Sequence, residues 1–262
     1  MSTERAGGPL MVEVRDRVAT LTVNRPAVRN ALDRETVSAM TAALADCEAR
    51  EDVGAIVITG AGDTVFVAGA DIRQLRERRR DDGLAAINSS VFAAVERCTK
   101  VTIAAINGHA LGGGCELALA CDLRVAVDHA TFGQPEVNLG IIPAAGATQR
   151  LPRIVGLGRA KQLVLTGDAI DAATALDWGL VTAVVPSADL MTEARRLAGR
   201  VLARGPLAIR LAKLALNASA RVDLDSGLLI ETLAQAICFE SEDKQEGTSA
   251  FLEKRRPAFK GR

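Results

Sequence analysis

Residues 101–127 read VTIAAINGHALGGGCELALACDLRVAV, and this stretch decides the fold class. Its first part, VTIAAI (101–106), is a short apolar run, which predicts a strand buried on both faces. Three glycines at 112–114 then open an apolar helix, CELALAC (115–121), and DLRVAV (122–127) follows as a second strand. The order strand, helix, strand predicts parallel strands covered by helices, and therefore an α/β fold.

The same alternation extends toward the N-terminus, whereas the end of the chain is nearly all helical. Three further strands are predicted, at Val12–Val14, Val18–Val23 and Ala55–Thr59. Helices are predicted at three places: after an N-cap at Asp33, from about Ile72, and over Leu84–Cys98. From Ser187 onward the pattern is helical, with Pro206 at a helix start. We therefore predict a helical C-terminal layer on an α/β core.

The composition argues against several classes of protein. The 262 residues carry 32 Lys plus Arg and 32 Asp plus Glu, so a surface that grips nucleic acid or anionic lipid is not expected. Aromatic residues are only 3% and Tyr is missing, so platforms for stacking bases are scarce. The chain contains no run of 18 apolar residues without a charge, so no membrane span is predicted. Residues 1–10 lack the apolar segment of a signal peptide.

The cysteines indicate a reducing environment. There are five of them, an odd number, and no two form a CxxC pair. This pattern argues against a disulfide framework and against a zinc cluster. We therefore expect a cytoplasmic protein without a bound metal.

Glu116 is the first candidate for chemistry. It lies in the first turn of the apolar helix, just after the three glycines, where free N–H groups can bind an oxyanion. The commoner role of an acid at this position is to complement the helix dipole. Because all of its helical neighbours are apolar, we expect Glu116 to be buried, and a buried carboxyl group is either paired or kept for a task.

Glu136 is the second candidate, 20 residues further along the chain in GQPEVNLGIIP (133–143). It follows Pro135, so a loop or turn is predicted there. An isolated loop Glu is usually just solvated. Two carboxyl groups beside a glycine-rich oxyanion site would instead suit acid–base chemistry next to an acyl carbonyl.

A second set of backbone donors is predicted in VAGADI (67–72). Asp71 is expected to serve as an N-cap rather than as a catalytic group. The arginines that follow it are interleaved with acids and indicate a solvated helix face, with a phosphate-bearing ligand as the alternative for Arg73 alone. His109 is expected to be a hydrogen-bonded turn residue.

At these residues the chain closely resembles the crotonase, or enoyl-CoA hydratase/isomerase, superfamily. The resemblance is carried by five blocks: NRPAVRNAL (24–32), FVAGADI (66–72), INGHALGGGCELALACDLRVA (106–126), TFGQPEVNLGIIPAAGATQRLPR (131–153) and LTGDAIDAATALDWGLVTAVVP (165–186). It implies a crotonase-like spiral of ββα units with a C-terminal helical trimerisation region. We accordingly expect a spiral core with the acyl-CoA site at residues 1–200 and a helical oligomerisation region at 201–262.

The resemblance also implies the residues of the site. The N–H groups of Ala70 and Gly113 would form an oxyanion hole, and Glu116 and Glu136 would be the catalytic carboxylates. Substrate contacts would come from Ala68, Ala70, Asp71, Ile72, Arg73 and Gly113, and from Phe251 and Lys254 at a subunit boundary. The implied ligand is an acyl-CoA, whose coenzyme A is part of the substrate, with no separate cofactor. A homotrimer or a dimer of trimers is expected, and no membrane or nucleic-acid partner.

The paired glutamates favour an enoyl-CoA hydratase of fatty-acid or related acyl-CoA degradation. The alternatives are an isomerase, which in this family works with the equivalent of Glu136 alone, another acyl-CoA enzyme of the family or, further off, an RNA-binding member. The chain also departs from the family pattern. Ala144 and Ala147 replace glycines that hydratases often carry, and Thr64 replaces a lysine that some relatives place near the CoA phosphates. Acyl-chain length is not predicted.

Overall fold

The computed structural model describes residues 8–262, which form ten β-strands and twelve α-helices. The strands are β1 (Leu10–Arg15), β2 (Val18–Val23), β3 (Ala55–Gly60), β4 (Val65–Val67), β5 (Val101–Ile106), β6 (His109–Leu111), β7 (Leu123–Val127), β8 (Thr131–Gly133), β9 (Ala169–Asp171) and β10 (Ala183–Val185). The first eight helices are α1 (Arg34–Ala49), α2 (Ile72–Glu77), α3 (Arg80–Leu84), α4 (Ile87–Arg97), α5 (Gly113–Ala120), α6 (Ala147–Val155), α7 (Leu157–Thr166) and α8 (Ala172–Asp177). The last four are α9 (Leu190–Leu202), α10 (Pro206–Ser219), α11 (Leu224–Phe239) and α12 (Glu242–Leu252).

The strands form two sheets that the chain visits alternately. The larger sheet has the order β1-β2-β3-β5-β7-β10, and the smaller has β4-β6-β8-β9. Only the β1–β2 and β8–β9 pairs are antiparallel among these strands. Three times the chain runs from the large sheet to the small one, from β3 to β4, β5 to β6 and β7 to β8, and a helix follows. This is the predicted repeat of ββα units.

The predicted strands are present, and each is buried where its sequence is continuously apolar. Every residue of β3 and of β5 is buried, because helices and the second sheet cover both faces of these central strands. Asp33 caps α1 as predicted, since its carboxylate accepts a hydrogen bond from the Thr36 N–H at 2.8 Å.

The helix predicted over Leu84–Cys98 differs from the structure at its N-terminal end. The chain forms the short α3 up to Leu84 and starts α4 only at Ile87. Between them Ala86 has φ of 49°, a left-handed conformation that interrupts the helical hydrogen bonds. Leu84 is consequently 76% exposed rather than part of the core. The prediction of a continuous helix was therefore wrong at this end.

The C-terminal helices join the core through the apolar face of α9 and through polar contacts that include Lys213. Helix α9 buries Leu190, Ala194 and Ala198, and residue 200 lies in its last turn. Helix α10 begins at Pro206, as predicted, and buries only Lys213. The Lys213 ammonium donates to Asp122 Oδ2 at 2.7 Å and to the Lys100 carbonyl at 3.0 Å. The division of the chain into functional regions at residue 200 stays a prediction.

The last residues dock on the chain's own helix α12. The Asp243 carboxylate accepts hydrogen bonds from the N–H groups of Lys260 (2.6 Å) and Gly261 (2.9 Å). The Phe259 ring packs over Gly247 closely enough that an added methyl there would lie 3.2 Å from it. Residues 259–261 therefore pack on their own chain, whereas the expected contact of Phe251 and Lys254 with a neighbouring subunit stays a prediction.

No helix among residues 8–262 has both the length and the apolar character that crossing a bilayer demands. The predicted lack of a signal peptide concerns residues 1–10, of which 1–7 lie outside the described residues.

We expect Lys213→Met to destabilise the fold, because it leaves the Asp122 carboxylate largely buried without its cation. Removing one partner of a buried ion pair costs roughly 3 kcal/mol or more. Lys161→Met, at an exposed position on α7, should stay within about 0.5 kcal/mol of the parent. Chemical denaturation followed by circular dichroism measures both changes, and equal stability of the two variants would contradict the anchoring role of Lys213.

Candidate active site

A cavity of about 190 Å³ lies where the loop after β4 meets the start of α5. The residues at its inner end are Ala68, Gly69, Ala70, Gly113, Glu116, Pro135 and Glu136. Its outer wall is largely apolar and includes Ile72, Leu75, Ile87, Leu139, Ile141 and Ile142. The two glutamates and the two backbone segments singled out from the sequence therefore line one cavity.

The loop before α2 and the start of α5 are in close contact. A Cβ added to Gly113 would lie 3.0 Å from Gly69 Cα and 3.6 Å from Ala70 N. A Cβ on Gly114 would overlap the Val67 carbonyl oxygen. Position 114 therefore has no room for a side chain, and a side chain at position 113 would push the Gly69 backbone away.

The N–H groups of Ala70 and Gly113 face the same space. Leu32 forms a parallel bridge with Ala70 in which the Leu32 N–H donates to the Gly69 carbonyl and the Asp71 N–H donates to the Leu32 carbonyl. In such a bridge the N–H of the central residue points away from the partner strand. Gly113 is the first residue of α5, where the N–H has no partner within the helix. The pair can thus bind an oxyanion.

Glu116 is buried, as the sequence predicted, with 3% of its surface exposed. Its Oε1 accepts hydrogen bonds from the N–H of Ala145 at 2.7 Å and from the N–H of Ala147 at 3.0 Å. Burial raises the pKa of Glu116, although these two N–H groups and the charge of Arg150 act in the opposite direction. Of the two opposing effects, burial is the stronger.

The two alanines that depart from the family pattern fit this arrangement. Ala147 keeps the backbone donor to Glu116, so the change from glycine does not remove that hydrogen bond. Ala144 lies on the cavity wall. Thr64 lies at an exposed position and does not line the cavity.

Glu136 lies in a short 3-10 helix, Pro135–Leu139, which agrees with the predicted turn. Its Oε2 is buried and has no hydrogen-bond partner among the described residues. Its Oε1 approaches Gly112 so closely that a Cβ there would be 2.8 Å away. Burial, with a smaller contribution from the charge of Glu116, raises the pKa of Glu136 to about 7. A substantial fraction of Glu136 is therefore protonated at neutral pH.

Of the other residues predicted for the site, some line the cavity and some do not. Ala68, Ala70 and Ile72 line the cavity, whereas Asp71 and Arg73 do not. The Asp71 carboxylate accepts a hydrogen bond from the Arg73 N–H at 3.0 Å and so caps α2, the role expected for it. Phe251 and Lys254 lie at the end of α12, outside the cavity lining, and Phe251 is 82% exposed. Their contact with a ligand stays a prediction.

Two features of the site escaped the sequence analysis. On the outer wall, Leu139, Ile141 and Ile142 are exposed apolar residues that follow Glu136 closely in the sequence, which could have served as a signal. Arg150 donates to the Ala145 carbonyl at 3.1 Å and so braces the loop that holds Glu116. No local pattern in the sequence predicts the contact between Arg150 and Ala145.

His109 is hydrogen-bonded to Thr131 at 2.7 Å, as expected, but it begins strand β6, so its assignment to a turn was wrong. Within residues 8–262, no group of three or more His, Cys, Asp and Glu side chains is arranged to hold a metal ion. The five cysteine thiols are free.

Comparison with known proteins identifies close relatives. The family model described as Enoyl-CoA hydratase/isomerase matches residues 13–262. The crotonyl-CoA hydratase of Syntrophomonas wolfei is 45% identical over 254 residues, 95% of this chain and 97% of that protein. The short-chain-enoyl-CoA hydratase of Clostridium acetobutylicum is 43% identical over 97% of this chain and 98% of its own length.

A solved structure confirms the predicted fold class. The crystal structure of an enoyl-CoA hydratase from Bacillus anthracis matches with a TM-score of 0.94 and 38% identity, over 97% of this chain and all of that one. The α/β spiral and the C-terminal helices are therefore those expected from the sequence.

Glu136 should titrate near neutral pH in the free protein. Glu116→Gln should lower its pKa, because the charge of Glu116 raises it. Glu35→Gln, an exposed change on α1, should leave it unchanged. NMR titration of ¹³C-labelled glutamate carboxyl groups measures all three, and a Glu136 carboxyl that titrates in the ordinary range of glutamate would contradict its burial.

Proposed function

The chain belongs to the enoyl-CoA hydratase/isomerase family, and we propose that Glu116 and Glu136 carry its enoyl-CoA hydratase activity. The reaction adds water across the trans-2 double bond of an enoyl-CoA thioester and gives a 3-hydroxyacyl-CoA. The observation that supports these roles best is the presence of both carboxyl groups, each with a raised pKa, in the cavity that also contains two free backbone donors.

The N–H groups of Ala70 and Gly113 would hold the thioester carbonyl oxygen. As water adds to Cβ, negative charge develops on that oxygen and the transition state resembles an enolate. Preorganised donors stabilise such a charge more than they stabilise the ground state, and one donor typically contributes about 3–4 kcal/mol. The close contact of Gly69 with Gly113 keeps the two donors in a fixed relation.

The environments of the two glutamates suit different roles. The two N–H groups that bond Glu116 Oε1 favour its ionised form and leave Oε2 to take a proton from the attacking water. Glu136, with its unpartnered Oε2 and its pKa of about 7, would deliver a proton to Cα. Glu116 therefore acts as the base and Glu136 as the acid.

The reaction needs no metal or redox cofactor in this proposal. The thioester carbonyl itself acidifies the α-position once the oxyanion donors hold its oxygen. The only coenzyme in the reaction is the coenzyme A of the substrate.

We place the coenzyme A beside α2. Ala68 and Ile72 line the cavity on this side, and the side chain of Ile72 is exposed. Asp71 would contribute through the fixed start of the helix, and Arg73 through its exposed charge. Phe251 and Lys254 would reach the coenzyme of a neighbouring subunit, since both are exposed on this chain.

A homotrimer, or a dimer of trimers, is proposed as the assembled state. Helix α11 is apolar yet has no buried residue in the isolated chain. Its exposed apolar side chains are Leu224, Leu228, Leu229, Leu233, Ile237 and Phe239. A contiguous apolar surface of this kind marks a protein interface. A cytoplasmic location is proposed as well, because five free thiols, four of them buried, suit a reducing compartment.

We expect Glu116→Gln and Glu136→Gln each to lower kcat by at least ~10²-fold, the low end for loss of a general acid or base. KM should change little, since the backbone donors remain. The two losses should combine less than additively, because the carboxyl groups act on one water. The assay follows the disappearance of the conjugated enoyl-thioester absorbance, with Glu35→Gln as the matched control.

The same assay separates the hydratase from the isomerase. A 3-enoyl-CoA substrate would gain conjugated absorbance if the enzyme moved its double bond. Near-normal hydration by Glu116→Gln, or rapid conversion of the 3-enoyl substrate, would argue against the proposed roles.

Leu233→Glu should dissociate the assembly, because it places a charge in the middle of the proposed interface. Each buried leucine contributes about 1.5–3 kcal/mol, so few such changes are tolerated. Arg195→Glu, at an exposed polar position of α9, should leave the mass unchanged. Analytical ultracentrifugation distinguishes these outcomes, and a parent protein that sediments as a monomer would refute the proposed state.

A further inference from the structure

Arg150 occupies a position between the candidate base and the C-terminal helices. It lies in the first turns of α6, and its side chain is only 16% exposed. Its guanidinium donates to the Ala145 carbonyl at 3.1 Å and to Glu96 Oε2 at 3.0 Å. Neither interaction is needed to form α6 itself.

The backbone of Ala145 is the part of this loop that Arg150 can control. The N–H of Ala145 donates to Glu116 Oε1 at 2.7 Å, while its carbonyl accepts from Arg150. Gly146, with φ of 123°, separates Ala145 from Ala147, the second donor to Glu116. This segment precedes α6 and has no strand neighbour, so hydrogen bonds to side chains and to the first turn of α6 hold it.

Glu96 holds Arg150 in turn. It lies in the last turn of α4, and its Oε2 also accepts from Arg221 at 2.7 Å, just after α10. The Asn217 side chain in α10 donates to the Glu96 carbonyl at 3.0 Å. A chain of contacts therefore runs from α10 through Glu96 and Arg150 to the loop that holds Glu116.

We propose that Arg150 is a positioning residue for Glu116, held in place by Glu96 and the end of helix α10. The proposal rests on the proposed function, because it assigns Arg150 an effect on the base of that reaction. Arg150 does not line the cavity, so it acts through Ala145 and Ala147 and through its charge rather than on the substrate.

The charge of Arg150 gives the role a specific readout. The charged groups near Glu116 are Arg150, which lowers the pKa of Glu116, and Glu136, whose own pKa rises with the charge of Glu116. Removing the guanidinium raises the pKa of Glu116. Because a base works in its ionised form, the acid limb of the kcat/KM profile should then move to higher pH.

The test compares Arg150→Met, Arg150→Lys and Glu96→Gln with Arg153→Met, an exposed control on the same helix. We expect Arg150→Met to lower kcat by about tenfold or more, since a displacement of about 1 Å can cost up to ~10²-fold. KM should stay within about threefold, as for loss of an interaction made in the transition state. Arg150→Lys should keep part of kcat and should leave the acid limb of the kcat/KM profile near its position in the parent protein. It retains the positive charge but not both hydrogen bonds.

A double variant tests whether the effect passes through Glu116. In the Glu116→Gln background, Arg150→Met should reduce the residual rate by less than about twofold. Equal losses in both backgrounds, or a lower melting temperature with an unchanged kcat and pH profile, would overturn the inference. Near-normal hydration by Glu116→Gln would overturn the proposed function and this inference together, whereas an inactive Glu116→Gln beside an unaffected Arg150→Met overturns this inference alone.

Discussion

The site depends on one close approach, that of the Gly69–Ala70 backbone to the start of α5. Because Gly113 and Gly114 carry no side chains, the loop after β4 can rest directly on the helix N-terminus. This contact places two peptide N–H groups side by side, and it also sinks α5 so deeply that Glu116 is removed from water. The pairing of the two N–H donors and the burial of Glu116 therefore have the same cause. A bulkier residue at Gly113 or Gly114 would have two effects at once: it would separate the two donors and expose Glu116 to solvent.

Much of this arrangement is predictable because it depends on local patterns. The apolar runs predict the central strands, Asp33 and Asp71 predict caps, and the apolar neighbours of Glu116 predict its burial. The roles of Ala70 and Gly113 came from family resemblance rather than from such patterns. The bond from Ala145 to Glu116 joins residues 29 positions apart, and only the packing of α5 against α6 creates it. The break at Ala86 could not be predicted either, because alanine is not a residue that indicates a left-handed turn.

Beyond α9, the C-terminal helices meet the core largely through polar contacts. Lys213 reaches Asp122, just beyond α5, while Arg221 and Asn217 reach Glu96 at the end of α4. Both α5 and α4 line the cavity, so the C-terminal layer contacts the site from behind. Its apolar side chains on α11 remain exposed on the isolated chain.

The two ends of the cavity differ in how much sequence change they can absorb. At the inner end, added atoms on Gly112, Gly113 or Gly114 meet backbone or the carboxyl of Glu136. At the outer end, Ile72, Leu139 and Ile142 are exposed and can change size without disturbing the core. Divergence among descendants of this chain would therefore alter the outer wall of the cavity sooner than its inner end. For protein engineering, the outer residues are therefore the ones to vary, and the glycines of the inner end are the ones to keep.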